Sequence, residues 1–320
     1  MRLCRFERDG TAHVGFFDER GIIPIEAAAA QAPPSMLGGA RLLASDDLLA
    51  YLPPDGPNAT LARTLDGWLG SLDEDALKAL RLASGGFKLL VPTPRPPKIL
   101  LLAGNYAAHV IERGGVAVER AETFPYVFMK PPTTTLTHPG DPIRIPITSP
   151  DQIDYEAELG VVIGRTCRDV EEADALDYVA GYTVVNDITD RKYQPNPGRK
   201  PRERDKFFDW LHGKWHDTFC PVGPCLISRD SVADPQALAI RLTVNGEVKQ
   251  NGSTGQMIFP VAAVLSFLSK FITLEPGDLV STGTPSGVGS ATGIYLKPGD
   301  RVVASIAGIG ELANTMVLEG

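Results

Sequence analysis

Seven consecutive residues, Pro92-Thr-Pro-Arg-Pro-Pro-Lys98, include four prolines. Each proline fixes its own backbone angle and removes an amide donor, so no regular helix crosses this stretch and it runs extended and stiff. It divides the chain into a small N-terminal domain, residues 1–91, and a larger domain, residues 92–320. Beyond the prolines, short apolar runs at 99–103, 159–163, 182–185 and 279–282 alternate with turns. Helical pattern is confined chiefly to 169–179, which opens Asp169-Val-Glu-Glu172, and to 261–271, which follows Pro260. The larger domain is therefore expected to be α+β with strands dominating. No fixed-period repeat occurs, which excludes a solenoid or propeller.

Before the prolines, apolar residues at 3–7, a turn at Gly10, a second run at 12–17 and Gly21 ahead of Ile22, Ile23 and Ile25 spell a small β meander. Ser71-Leu-Asp-Glu74 has the form of a capping box ahead of Ala76, Leu77, Leu80 and Leu82, with Gly85-Gly86 as the stop. The N-terminal domain is expected to be small and β-rich. It carries no cluster of catalytic residue types.

At 320 residues the chain buries a large core, and 43% hydrophobic with 22% charged residues is ordinary for a folded globular protein. A net charge of −8 speaks against a surface that neutralises phosphates, so nucleic acid is not an expected partner. Cys4, Cys167, Cys220 and Cys225 show neither C-x-x-C nor zinc-ligand spacing, and free thiols in a reducing, cytoplasmic compartment are expected. No leader-like apolar stretch follows Met1, and no later run approaches the length of a membrane span.

The chemistry begins in Asp154-Tyr-Glu-Ala-Glu-Leu-Gly160. Glu156 and Glu158 are two apart at the head of an apolar strand, so their side chains project from one face. Two carboxylates so placed repel unless the face is wet or a cation lies between them, and a hard divalent cation prefers oxygen ligands. Asp187, closing Gly181-Tyr-Thr-Val-Val-Asn-Asp187, offers a third oxygen ligand. On spacing alone the same pattern also suits a solvated sheet face with Asp187 capping a turn.

Other groups read similarly two ways. In Asn105-Tyr-Ala-Ala-His109-Val-Ile-Glu112 a single helical turn brings His109 beside Glu112, which suits proton removal from water and equally suits a surface pair. Lys130 follows an apolar strand that carries it inward, or ends that strand at the surface. Thr282-Gly-Thr-Pro-Ser-Gly-Val-Gly289 has the glycines of an anion-binding nest or of a tight turn. Residues 195–209, polar and basic, read as a solvated loop, or more sharply as a lid or subunit contact.

Four ordered segments, Tyr155-Glu-Ala-Glu158, Gly181 to Asp187, Asp217-Thr-Phe-Cys-Pro-Val-Gly-Pro224 and Thr282 to Gly289, together resemble the fumarylacetoacetate hydrolase superfamily over residues 95–318. The first 90 residues resemble the smaller N-terminal domain of many members. The resemblance implies a mixed β-roll catalytic domain, a homodimer, and Mg2+ or Mn2+, with Ca2+ as a further option, on Glu156, Glu158 and Asp187. It implies catalytic roles for His109 and Glu112 as a dyad and for Lys214 and Gln194 at the reacting oxygens. It assigns Lys130, Gly283 and Thr284 to a small anionic keto-acid substrate. Two departures stand out: Asp190-Arg191-Lys192 replaces the frequent Ala-Arg-Asp, and the 195–209 stretch is longer than in many members.

The expected activity is hydrolysis of a carbon–carbon bond in a small β-diketo or acylpyruvate-type acid, as in aromatic catabolism. The same parts suit decarboxylation or tautomerisation of a keto acid. A non-catalytic binding protein with the retained fold is the rival from another class. A nucleotide-dependent enzyme is disfavoured, because no G-x-G-x-x-G follows Gly104 and no Walker A sequence occurs.

Overall fold

The computed structural model describes residues 1–83 and 85–320. Among the described residues the strands sort into a large sheet, a smaller one and a two-stranded ribbon of Ile153–Asp154 with Thr189–Asp190. The eleven-stranded sheet runs Gly21–Pro24, Thr11–Asp18, Arg2–Arg8, Cys220–Ser228, Val179–Asn186, Ala157–Ile163, Leu279–Ser281, Ile99–Ala103, Tyr126–Met129, with Lys88–Leu90 and Leu136–Thr137 attached at its flanks. The five-stranded sheet runs Glu247–Ser253, Ala239–Val244, Arg301–Ile306, Gly310–Leu318, Ile143–Ile145. The mixed α+β architecture expected from the alternating runs is present.

The N-terminal strands are continuous with the larger region. Leu3 pairs with Leu226 and Arg2 with Ile227, so hydrogen bonding runs uninterrupted from residues before the proline stretch to residues after it. The meander is where the glycine turns place it, but "β-rich" needs correction. Between residues 25 and 80 the region is mainly helical, and the helix Ala59–Leu69 buries Leu61, Ala62, Leu65 and Leu69 at i, i+1, i+4 and i+8.

Local corrections have local causes. The helix after residue 70 spans Glu74–Leu80, and its cap is Asp73, whose carboxylate accepts from Ala76 N at 2.9 Å. Ser71 is not the cap; its hydroxyl donates back to Trp68 O. A carboxylate in the cap position competes well for the same orphan amides. The 169–179 stretch forms only the 3-10 segment Glu172–Tyr178, whereas 261–271 contains the α-helix Val261–Ser269. The 195–209 stretch is not loop throughout: its last residues open the helix Asp205–Gly213, stapled by Arg199 to Asp205 and Asp209.

Strand alternation splits the core into two layers. Leu159, Val161 and Ile163 face Ile240, Leu242, Val302 and Ala304 of the smaller sheet. Val162, Val185, Leu101 and Phe128 face the opposite way, toward the N-terminal helices and Trp210. Glu156 and Glu158 share the parity of Val162, Asp187 that of Val185 and Lys130 that of Phe128. One face of the large sheet therefore carries all four charged groups at its end.

Candidate active site

Glu158 is paired with Val185 across the central ladder, and Asp187 N donates to Glu156 O at 2.8 Å just beyond it. This register brings oxygens of Glu156, Glu158 and Asp187 within 4.8 Å of one another. The three are 5%, 1% and 1% exposed, which removes the wet-face alternative for the pair of glutamates.

Three buried carboxylates need positive charge. Lys214, at the end of the helix Asp205–Gly213, donates to Glu156 Oε2 at 2.7 Å and to Asp187 Oδ2. Its ammonium also lies over the rings of Phe128 and Trp210, at 5.1 and 5.8 Å. Arg191 pairs with Asp154 (2.8 Å) and with Glu156. Burial by itself would push the Glu156 carboxyl up, yet Lys214 and Arg191 hold it well below the usual carboxylate range. Glu158 goes the other way: burial first, then the charges of Asp187 and Glu156, push it up to about 8. The contrast says that negative charge is incompletely matched at Glu158.

Asp187 Oδ1 is held by a second cation. Lys130 Nζ lies 2.7 Å away as an ion pair while also donating to the carbonyls of Ile188 (2.8 Å) and Phe219. Two buried ammonium groups therefore face Asp187, and the unmatched negative charge falls on Glu158. Three clustered carboxylates, one of them short of positive charge, fit a hard divalent cation, which prefers oxygen ligands.

The glycine-rich loop holds this floor in place. Gly283 N donates to Glu158 Oε2 (2.8 Å), Gly287 N to Glu112 Oε2 (2.8 Å), and Ser290 N to Asp154 Oδ2 (3.0 Å). Gly289 N also donates to Asp154. The amides in these turns thus bind the chain's own carboxylates. Gly287 has φ +104, and a Cβ there would stand 2.1 Å from Lys249 O, so only glycine serves. The Thr284 hydroxyl gives its one proton to Ala157 O (2.8 Å) and accepts from Gln250 Nε2 (2.8 Å).

The His109–Glu112 pair sits on the short helix Ala107–Glu112. His109 Nδ1 and Glu112 Oε1 are 2.8 Å apart, and His109 is 6% exposed. With the carboxylate accepting from Nδ1–H, the lone pair is left on Nε2. A narrow cavity of about 30 Å³, open at its mouth, is lined by His109, Glu156, Glu158, Arg191, Lys214 and Thr284, with Phe128 and Trp210 as an apolar wall.

The structure thus assembles Glu156, Glu158, Asp187, Lys214, His109, Glu112, Gly283 and Thr284, with Lys130 bracing Asp187 from behind. Gln194 is not among them. It is exposed and lines a separate hollow with Thr148, Lys192 and Tyr193, because the chain leaves the large sheet at Asn186 and turns away after the short strand Thr189–Asp190. Asp190 stays out of the cavity too, with Oδ2 3.5 Å from His216 Nε2. Sequence reasoning missed Asp154, which anchors two loop amides and Arg191. It missed Gln250, which accepts from Ala157 N (2.9 Å) while holding Thr284. It also missed the bracing role of Asn105, which donates to Thr282 O (2.8 Å) and Phe259 O (3.1 Å). No single-residue signal marks these polar groups, since each acts across 93 or more positions of chain for at least one contact.

Among the described residues no helix is long and apolar enough to cross a membrane, and all four cysteines are free and buried. Residues 98–317 match the fumarylacetoacetate (FAA) hydrolase C-terminal family. The chain is 41% identical over 238 residues to oxaloacetate tautomerase fahd2, mitochondrial, of Xenopus laevis, covering 74% of this chain and 70% of the relative. It is 42% identical over 259 residues to 2,4-didehydro-3-deoxy-L-rhamnonate hydrolase of a Sphingomonas species, covering 78% and 86%. Its fold is similar to maleylpyruvate hydrolase from Sphingobium sp. SYK-6 in complex with manganese (II) ion and pyruvate, at a TM-score of 0.68, 29% identity and full coverage of both chains. With the family match spanning two thirds of its length and carrying every carboxylate of the cluster, this chain belongs to the fumarylacetoacetate hydrolase family.

Proposed function

We propose that this protein is a divalent-metal-dependent hydrolase that cleaves a carbon–carbon bond in a small β-diketo or acylpyruvate-type acid. The observation that carries the reading is the buried three-carboxylate cluster facing a cavity that His109 also lines. Glu156, Glu158 and Asp187 would hold Mg2+ or Mn2+. The cation supplies Lewis acidity, lowering the cost of negative charge on a substrate oxygen.

The chain's own groups do the rest. Glu112 fixes the His109 tautomer through Nδ1, and Gly287 N fixes Glu112. His109 Nε2 then takes a proton from water as the oxygen attacks the substrate carbonyl, and returns it to the carbon that departs. Lys214 supplies an ammonium beside the cluster for the developing oxyanion. Phe128 and Trp210 keep one wall dry, which strengthens these interactions.

A second reading is keto–enol tautomerisation, favoured by the similarity to an oxaloacetate tautomerase. It needs only that His109 Nε2 carry a proton between the substrate carbon and, by way of water, the enol oxygen. Incubation with Mg2+ or Mn2+ and a panel of acylpyruvates, oxaloacetate and unsaturated keto acids, read by product mass, separates the chemistries. A gain of water supports hydrolysis, loss of carbon dioxide decarboxylation, and an unchanged mass with altered enol absorbance tautomerisation. Silence across the panel with and without metal overturns all three. We also propose a homodimer in the cytoplasm. Exposed Phe207, Phe208 and Trp215 support the pairing, and light scattering at the monomer mass would contradict it.

A further inference from the structure

The proposed chemistry uses His109 and leaves unexplained a second charged group at the end of the same helix. Arg113 caps Ala107–Glu112 and lies four residues after His109, a spacing that puts both side chains on one helical face. The turn that follows is fixed: Gly114 N donates to Ile111 O and Gly115 N to Val110 O, both at 2.9 Å. Arg113 lines the same cavity as His109, Glu156, Glu158 and Arg191.

Among the described residues the Arg113 guanidinium forms no hydrogen bond and no ion pair, whereas Arg191 is fastened to Asp154 and Glu156. Arg191, with a side chain only 6% exposed, nevertheless has one buried nitrogen, Nη1, without a partner. Two guanidinium groups thus face one narrow space with unused donors. Partial burial and then the charge of Arg191 both push the Arg113 pKa below its ordinary value, the direction expected of a cation short of an anion. Position separates the two ends of the cavity: Glu156 and Glu158 are buried at its floor, and Arg113 is an exposed residue at its rim.

We propose that Arg113 is a specificity residue that receives the far carboxylate of a keto diacid whose keto-acid end lies at the three-carboxylate cluster. The planar fork of a guanidinium matches a carboxylate in two parallel hydrogen bonds, which a lysine does not reproduce. The enclosed part of the cavity is small, about 30 Å³, so a chain whose keto-acid end sits at the floor runs out toward the exposed rim, where Arg113 stands. The inference rests on the reading of the cluster as a keto-acid site and adds that the preferred ligand is doubly anionic.

The test is calorimetric binding to the Mn2+-loaded protein of two probes, pyruvate with one carboxylate and 2-oxoglutarate with two. The expected result is that Arg113→Gln leaves the pyruvate dissociation constant within about twofold and weakens 2-oxoglutarate about tenfold, with Arg113→Lys restoring part of the loss. Equal weakening of both probes, or of neither, overturns the role of Arg113 while the cluster reading stands. Failure of the unaltered protein to bind either probe overturns the cluster reading and this proposal with it. Because Arg113 is exposed and unpaired, unchanged thermal melting is expected of both variants and serves as the folding control.

Discussion

The two halves of the cavity are built differently. The carboxylate half stands on the central strands of the large sheet, where Ala157–Ile163 and Val179–Asn186 are buried along their whole length. Each carboxylate there is held by several groups: Glu158 by Ser281 Oγ (2.6 Å) and Gly283 N, Glu156 by Lys214 and Arg191. The dyad half hangs on a six-residue helix without a side-chain cap, whose only buried residue is His109. Its Glu112 is held by one loop amide. The charged floor is thus over-determined and rigid, while the proton-moving wall is lightly tethered and free to adjust to a ligand.

Substitutions at the two halves should separate binding from turnover. The largest effect is expected at the floor: Glu158→Gln should weaken Mn2+ by about 100-fold or more and abolish turnover, since second-sphere changes alone already cost about 10- to 100-fold. Calorimetric titration checks this, and unchanged metal affinity in the folded variant would remove the cluster from the mechanism. His109→Asn should lower kcat about 10²- to 10⁴-fold with metal affinity unaltered. A parallel loss of metal would show that the two halves are not independent.

Smaller effects probe the link between the halves. Gly287→Ala forces a Cβ against Lys249 O at φ +104 and should destabilise the protein by about 1–3 kcal/mol, read by denaturant unfolding, with a lower kcat as Glu112 loses its amide. Thr284→Val removes a proton committed to Ala157 O, so a loss of about 1 kcal/mol in stability with little change in KM is expected. A large rise in KM would instead give Thr284 a direct contact with substrate.

The mildest test is pH. With Glu158 pushed up to about 8 in the metal-free protein, a proton competes with the cation below that value. Metal affinity should therefore rise with pH toward 8 and level off above it, with about one proton released per cation at pH 7. Stability follows the raised-carboxyl sign. The contribution of Glu158 without metal is fully present below the unfolded value of 4.5 and is lost as pH rises through about 8. Melting temperatures across that window, with and without Mn2+, check both statements.

Much of this site was legible in the chain. The i, i+2 spacing of Glu156 and Glu158 placed them on one strand face, and His109 and Glu112 three apart on a helical turn meet at 2.8 Å. Lys214 was found by its order before Asp217. The apolar period of the helix Ala59–Leu69 is also present in the sequence. Gln194 went astray because the loop after Asp190 follows its own contacts rather than strand alternation. The glycine-rich loop reads in sequence as a seat for a substrate anion, whereas several of its amides are taken by Glu158, Glu112 and Asp154.

What the sequence by itself determined is whatever depends on local periodicity: strands, the short helix, and which side chains share a face. Those are fixed by backbone geometry within a few residues. Only the tertiary structure decided which charges match which. Lys214 reaches Glu156 across 58 residues, Gly287 reaches Glu112 across 175, and Lys130 reaches Asp187, while Glu158 has no ion-pair partner among the described residues. Pairing of buried charge depends on distance and desolvation after the chain has folded, and neither is written in spacing along the sequence.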